Sequence, residues 1–268
     1  PINARFYIFP LNLRLNMLYF FYEKSLEKYN CIVLGVFMID EFLECQFDDL
    51  YINSCLDKVS LELKDYCINN IVPIYELNDK GHSKNHIDYV LKRSFEISKN
   101  YDINYNILYV CVIFHDVMCH VDREKHEILS SLYAYDDIFL NKFFDKEDML
   151  LIRYAIEDHR ASSSRMPRNL YGRILSSADR KVEIKDYLVS SLGFNLGKLG
   201  KDDLIEDSYR HAIKKFGKDG YATSKFYVND DKYEKFLRDI QYLIEHKDIF
   251  FVLAEKVYYE LMNNSSIE

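Results

Sequence analysis

Chain breakers are scarce in this sequence. Four prolines and eight glycines are spread over 268 residues, too few for a turn-rich all-β fold. The long uninterrupted stretches therefore have to be helix or buried strand, and apolar spacing decides between them. Between Met38 and Tyr75 apolar residues recur at helical intervals: Phe42, Phe47, Leu50 and Ile52, then Leu56, Val59, Leu63 and Tyr66. Pro73 and the Asn78–Gly81 stretch break that run. Ser83 is a candidate N-cap for a helix to about Lys99, with Ile87, Val90, Leu91 and Ile97 inward. Tyr105–Val117 is apolar throughout, and at thirteen residues without hairpin signals it is read as a buried helix. Helices are also predicted over Glu124–Tyr135, from Asp145 to His159, over Leu170–Leu188, and in three stretches after Ser208. The expectation is an all-α protein, with a helical core over 38–190 and a helical C-terminal extension over 191–268 packed on it.

Charge and cysteine usage narrow the classes. A formal charge of −8 argues against a stable nucleic-acid partner, because phosphate neutralisation needs a basic face. The six cysteines form no C-x-x-C pair, so reduced thiols and a cytoplasmic location are expected. Met17–Tyr22 is apolar but ends at Glu23 and Lys24, far short of the roughly 20 residues that span a bilayer, and no signal-peptide cleavage site follows. Residues 1–37 are expected to be a non-native extension. The chain opens on Pro1, and codons for Gly35-Val36 can spell a ribosome-binding sequence just ahead of Met38. The alternative is an amphipathic helix around Leu15–Tyr29.

The residues that carry chemistry are histidines and aspartates on otherwise apolar faces. His86 shares a face with Val90, and His115 follows Leu108, Cys111 and Val112 at three- and four-residue spacing. His159 follows Ile152 and Ile156 likewise, and His126 opens a face with Leu129, Ser130 and Tyr133. Asp116 and Asp179 lie inside apolar segments, where an unpartnered carboxylate is costly. One such histidine is usually a hydrogen-bonded core residue. Several, with two buried carboxylates, share one cost if they converge on a metal, and that donor set suits Mn, Fe or Zn.

His115-Asp116, with the apolar Ile107–Phe114 before it, His86 upstream and Asp179 downstream, resembles the H…HD…D signature of the HD phosphohydrolase superfamily. The likeness spans roughly Gly81–Lys185. Gly81-His-Ser-Lys-Asn-His86-Ile, Ala155-Ile-Glu-Asp-His159-Arg and Ser176-Ser-Ala-Asp179-Arg fit it locally. His126 and His159 match the two additional histidines of binuclear members, among them HD-type diadenosine tetraphosphate hydrolases and cyclic-dinucleotide phosphodiesterases. The Gly-Tyr-Pro element of one cyclic-dinucleotide branch is missing. The resemblance implies an HD-type helical bundle in which His86, His115, Asp116 and Asp179 hold one divalent metal. Asp116, the expected catalytic residue, would bridge to a second metal on His126 and His159. Mn or Fe is favoured, with Zn, Mg or Ni as alternatives. Such cations acidify water and clamp phosphoryl oxygens, so no serine or cysteine nucleophile is needed.

Cations cluster around these positions. Arg160, Arg165, Arg168 and Arg180 flank His159 and Asp179, and Lys84 lies beside His86. Guanidinium forks match phosphate oxygens, which makes these five residues candidate substrate clamps. The competing reading is salt bridging to Glu157 or Asp158. His82 and His86 stand four apart as in a zinc-peptidase helix, but Ser83 occupies the place of the required glutamate. The expected activity is hydrolysis of a phosphate ester or anhydride in a small nucleotide or related metabolite, with a homodimer as one assembly state. The alternative is a nucleotide or metal sensor on the same scaffold without turnover.

Overall fold

The computed structural model describes residues 47–265 except 161, 162, 164, 224 and 225. The expectations for residues 1–37 lie outside them. Twelve α-helices carry the described chain, and no strand occurs among the described residues. In order they are α1 (Asp49–Leu56), α2 (Leu61–Tyr66), α3 (Lys84–Ser98), α4 (Tyr105–Phe114), α5 (His126–Tyr135) and α6 (Ile138–Phe143). There follow α7 (Lys146–Glu157), α8 (Leu170–Ala178), α9 (Ile184–Asn195), α10 (Lys201–Phe216), α11 (Asp231–Glu245) and α12 (Lys247–Ser265). None is long and apolar enough to cross a membrane.

Short acidic and amide side chains set many of the starts. Asp48, Asn104, Asp137, Asp145, Asn169 and Asp230 each accept a backbone N–H from the first turn of the helix that follows, satisfying donors that have no partner within the helix. Ser83 precedes α3 as expected, but its side chain makes no capping bond.

α4 is the axis of the first half. Every residue from Ile107 to Phe114 is buried, as a helix apolar on all sides must be. It packs against α3, α5, α7 and α8, α7 also packs on α5 and α8, and α1 on α3. These helices share one hydrophobic cluster that runs from Ile52 to Ala178 and takes in Val228. A second cluster, from Val182 to Val257, fills the space between α9, α10, α11 and α12. Tyr89 on α3 packs against both.

Two elements depart from the periodicity. The helix expected over Leu170–Leu188 is two helices, because the chain leaves helical geometry after Asp179 and re-enters it at Ile184. Arg180 N–H bonds the Ser177 carbonyl three residues back, a tightened last turn that ends α8. The run expected to reach Tyr75 stops at Tyr66, followed by a π turn over Cys67–Ile71 and a 3-10 helix over Val72–Leu77. Pro73 lies in the first turn of that 3-10 helix, where its missing N–H is tolerated.

Candidate metal centre

The end of α4 delivers His115 and Asp116 into the middle of the first cluster. His115 is fully buried and Asp116 is 2% exposed. α3 brings His86 from its first turn, α5 begins at His126, His159 stands just past α7, and Asp179 ends α8. All six residues expected from the sequence meet. The Asp116 carboxylate is their centre: Oδ2 lies 3.2 Å from His115 Nε2 and 3.4 Å from His86 Nε2, and Oδ1 lies 3.2 Å from His126 Nε2 and 3.4 Å from His159 Nε2. Asp179 Oδ1 joins through His86 Nε2 at 3.1 Å.

Hydrogen bonding fixes what these nitrogens offer. His115 Nδ1 lies 2.7 Å from the Val112 carbonyl, His126 Nδ1 2.8 Å from Arg123 and His159 Nδ1 2.6 Å from Ile156. A carbonyl only accepts, so Nδ1 must be the protonated nitrogen in each ring. The neutral ring then presents its Nε2 lone pair to the carboxylate. Asp116 Oδ1 and His86 Nδ1 are buried and lack hydrogen-bond partners. Lone pairs facing lone pairs at 3.2–3.4 Å repel unless a proton or a metal cation stands between them.

The titration of the cluster reports the same demand. Burial opposes the charged forms of His86, His159, Asp116 and Asp179. Against it, Asp116 and Asp179 raise His86 to about 9, and Asp116 raises His159. The surrounding imidazoles hold Asp116 well below the usual carboxylate range, and His86 takes Asp179 down to about 2. Two overlapping sets can each hold a metal ion: His86, His115 and Asp116, and Asp116, His126 and His159, with donor atoms in each set within 4.8 Å of one another. Neutral imidazole with carboxylate suits divalent transition metals, and the carbonyl acceptors on Nδ1 orient three of the rings. The residues fit the ion.

Two supporting side chains escaped the sequence reading. Tyr75 is buried, donates its hydroxyl proton to the Ile113 carbonyl at 2.9 Å and accepts the Asp116 N–H at 3.2 Å. Asn78 Nδ2 donates to the carbonyls of Asp116 and His82, at 3.0 and 3.1 Å, and its Oδ1 accepts the His120 N–H at 2.8 Å. Neither carries a spacing signal. Asn78 reads as a turn residue, and Tyr75 as one apolar position among many. His120 is held by Asn78. His82 is bonded to Asp79 at 2.9 Å, with its ring 5.9 Å from that of His86 and 6.2 Å from that of His126.

The expected clamp residues divide. Arg168 makes a forked contact with Asp158, Nε to Oδ2 at 2.7 Å and a terminal nitrogen to Oδ1 at 2.8 Å, and lies over the Tyr154 ring. Arg165 bonds Asp158 at 2.9 Å and Glu157 at 3.3 Å. For these two the salt-bridge geometry is the one observed, and a phosphate would have to displace carboxylates to reach them. Arg160 bonds the Glu124 carbonyl and lies 3.4 Å from Glu127. Arg180 is buried against the rings of Tyr227 and Tyr233. Lys84 is exposed in the first turn of α3. No family model, curated protein or solved structure matches this chain.

Proposed function

We propose that this chain is a metal-dependent phosphohydrolase of the HD type, acting on a phosphate ester or anhydride in a small nucleotide or related metabolite. The observation that carries this reading is the convergence of four imidazole Nε2 atoms on the two oxygens of one buried aspartate. Three of these rings are already anchored to backbone carbonyls through Nδ1, so a structural role does not call for their Nε2 atoms to turn inward on one carboxylate as well.

The proposed roles follow from position. His86, His115, Asp116 and Asp179 would hold one divalent ion, and Asp116, His126 and His159 a second; Mn or Fe suits the donor set, with Zn, Mg or Ni as alternatives. Bound there, the ions supply a water ionised near neutral pH and positive charge for the phosphoryl oxygens. Asp116 keeps both sets in register through its two oxygens. Asp179, whose side chain is 24% exposed, marks the open side on which substrate approaches. His82 donates Nδ1–H to Asp79, and its ring, 5.9 Å from that of His86 and 6.2 Å from that of His126, has an Nε2, free among the described residues, that would exchange a proton with the departing oxygen.

Protein purified without nickel should carry one to two divalent ions per chain and release phosphate in a screen of nucleotides and related esters. Asp116→Ala should lose both the metal and turnover. His82→Gln should keep the metal and lower kcat. Full activity after exhaustive chelation, or wild-type metal content in Asp116→Ala, would overturn the assignment. Metal binding and ligand binding without any turnover would instead favour the sensor reading.

A further inference from the structure

Beyond the metal cluster, the described residues enclose a cavity of about 520 Å3 between α9 and α10. Its lining is unlike the rest of this acidic chain. Lys181, Arg210, Lys214 and Lys215 face it together with His211, against the single carboxylate of Asp207. Asp207 is already engaged: Asn195 donates to it at 3.1 Å and Arg210 lies 3.8 Å away. Among the described residues no carboxylate lies within salt-bridge distance of Lys181, Lys214 or Lys215. Lys181 stands over the Tyr89 ring and Lys215 over the Phe216 ring, contacts that steady the side chains and leave their charge unneutralised. Three such ammonium groups around one concavity, with the apolar rings of Tyr187 and Phe194 in the wall, make a site for an anion. The low-dielectric wall strengthens the pull of these charges on an anion, while burial opposes the charged form of Lys215 and lowers its pKa.

The cavity adjoins the metal cluster through the short link between α8 and α9. Asp179 ends α8 and Lys181 lies two residues on. Lys215, on α10, is close enough to feel the charges of Asp179 and Arg180. Burial first, and then Lys215 and Lys214 against the opposing Asp207, hold the His211 imidazole below its usual pKa.

We propose that this cavity is a second anion-binding site, which takes a phosphoryl group of a substrate carrying at least two, remote from the one hydrolysed. That assignment rests on the phosphohydrolase reading, whereas the anion site itself does not. Lys181, Lys214 and Lys215 would be positioning residues that select doubly phosphorylated over singly phosphorylated substrates.

The test starts with calorimetric titration of inorganic pyrophosphate into the full chain stripped of metal, where the histidine–aspartate cluster offers an anion little. Wild-type protein should bind it. Lys214→Glu and Lys181→Glu should each weaken binding by about tenfold or more, and Asp116→Asn should leave it unchanged. Lys214 is exposed, so its reversal is the variant least able to disturb the fold; circular dichroism of each variant checks that. Absence of pyrophosphate binding to wild-type protein at millimolar concentration would overturn the proposal. So would weakening confined to Asp116→Asn. With metal restored, Lys214→Glu should raise KM for a doubly phosphorylated substrate and leave hydrolysis of p-nitrophenyl phosphate untouched. An equal effect on both substrates would refute the selective role. The expected binding pattern without turnover on any substrate would leave the anion site standing and the phosphohydrolase reading fallen.

Discussion

Asp116 faces four imidazoles, and its own orientation depends on two neutral side chains. Tyr75 holds its N–H and Asn78 its carbonyl, so the peptide units on either side of this carboxylate are pinned. Asn78→Ala should cost about 1 kcal/mol by removing two part-buried hydrogen bonds to the Asp116 and His82 carbonyls. It should also weaken metal binding about 10–100-fold, as loss of an outer-shell partner does; chelator competition measures the second effect and denaturant unfolding the first. Equal metal affinity in Asn78→Ala and wild type would show that Asp116 is held without it. Asp158 presents a different case. Burial raises its pKa, but the Arg168 side chain and backbone N–H, with Arg165, outweigh burial and depress it. A depressed carboxylate stabilises the fold above its unfolded pKa, about 3.9, and that contribution is lost as pH falls through the lower folded value. Wild-type stability should therefore drop more steeply than that of Asp158→Asn as pH falls below about 4, followed by urea unfolding. Parallel curves would mean that Asp158 does not titrate with folding.

Among the elements, the readable ones were those whose apolar pattern is their whole reason for existing. α4 is apolar on every face, and α7 and α11 show three- and four-residue spacing with short polar residues ahead of them, so their presence and inward faces follow from the residues alone. α3 was legible as a helix, but its buried face also takes in Arg93, Ser94, Phe95 and Ser98, while Leu91 is half-buried. The six convergent residues were legible for the same reason, since a histidine or aspartate on an apolar face is conspicuous. What stayed hidden depends on tertiary context. The break after Asp179 carries no glycine or proline, and the π and 3-10 turns of Cys67–Leu77, which lead to Tyr75 and Asn78 beside Asp116, have no periodic signal. The salt bridges of Arg165 and Arg168 to Glu157 and Asp158 were one of two readings the residues left open, and only where α7 leaves those carboxylates decides between them. α5 allows a test at this scale. Lys125 precedes it without a capping bond, and Asp122 instead accepts the N–H groups of Glu124 and Lys125 at 2.9 and 3.3 Å, just ahead of His126. Asp122→Ala should cost about 1 kcal/mol, as the loss of a side-chain acceptor for these turn N–H groups does. In the proposed centre it should weaken the ion held by His126 and His159 more than the one held by His86. A metal titration should then resolve two affinities where wild type shows them closer together. A uniform loss of both would place the capping loop outside the control of His126.

At the scale of the whole molecule, two hydrophobic clusters are joined by few groups, and one is charged. Arg93 on α3 is 1% exposed and reaches Asp230, the cap of α11, at 2.5 Å, with Glu96 at 3.4 Å. Lys232 on α11 returns to Glu96 at 2.8 Å. Asp230 serves twice, because its other oxygen accepts the Tyr233 N–H at 3.1 Å. Burying this network has a desolvation cost that its Coulomb attraction offsets only while every partner is present. Arg93→Ala removes the cation and leaves a carboxylate that is 6% exposed, so it should destabilise by about 3–5 kcal/mol. Asp230→Asn keeps an oxygen for the α11 cap while leaving Arg93 without its main counter-charge. The double variant Arg93→Met with Asp230→Asn removes both charges and fills the space, and it should recover most of the loss. If the pair also couples the two clusters, Arg93→Ala should split one unfolding transition into two, with α9–α12 melting apart from α1–α8. Differential scanning calorimetry separates these outcomes. A single transition within about 0.5 kcal/mol of wild type, the usual range for surface changes, would show that apolar contacts such as Tyr89 hold the two halves together without the ion pair.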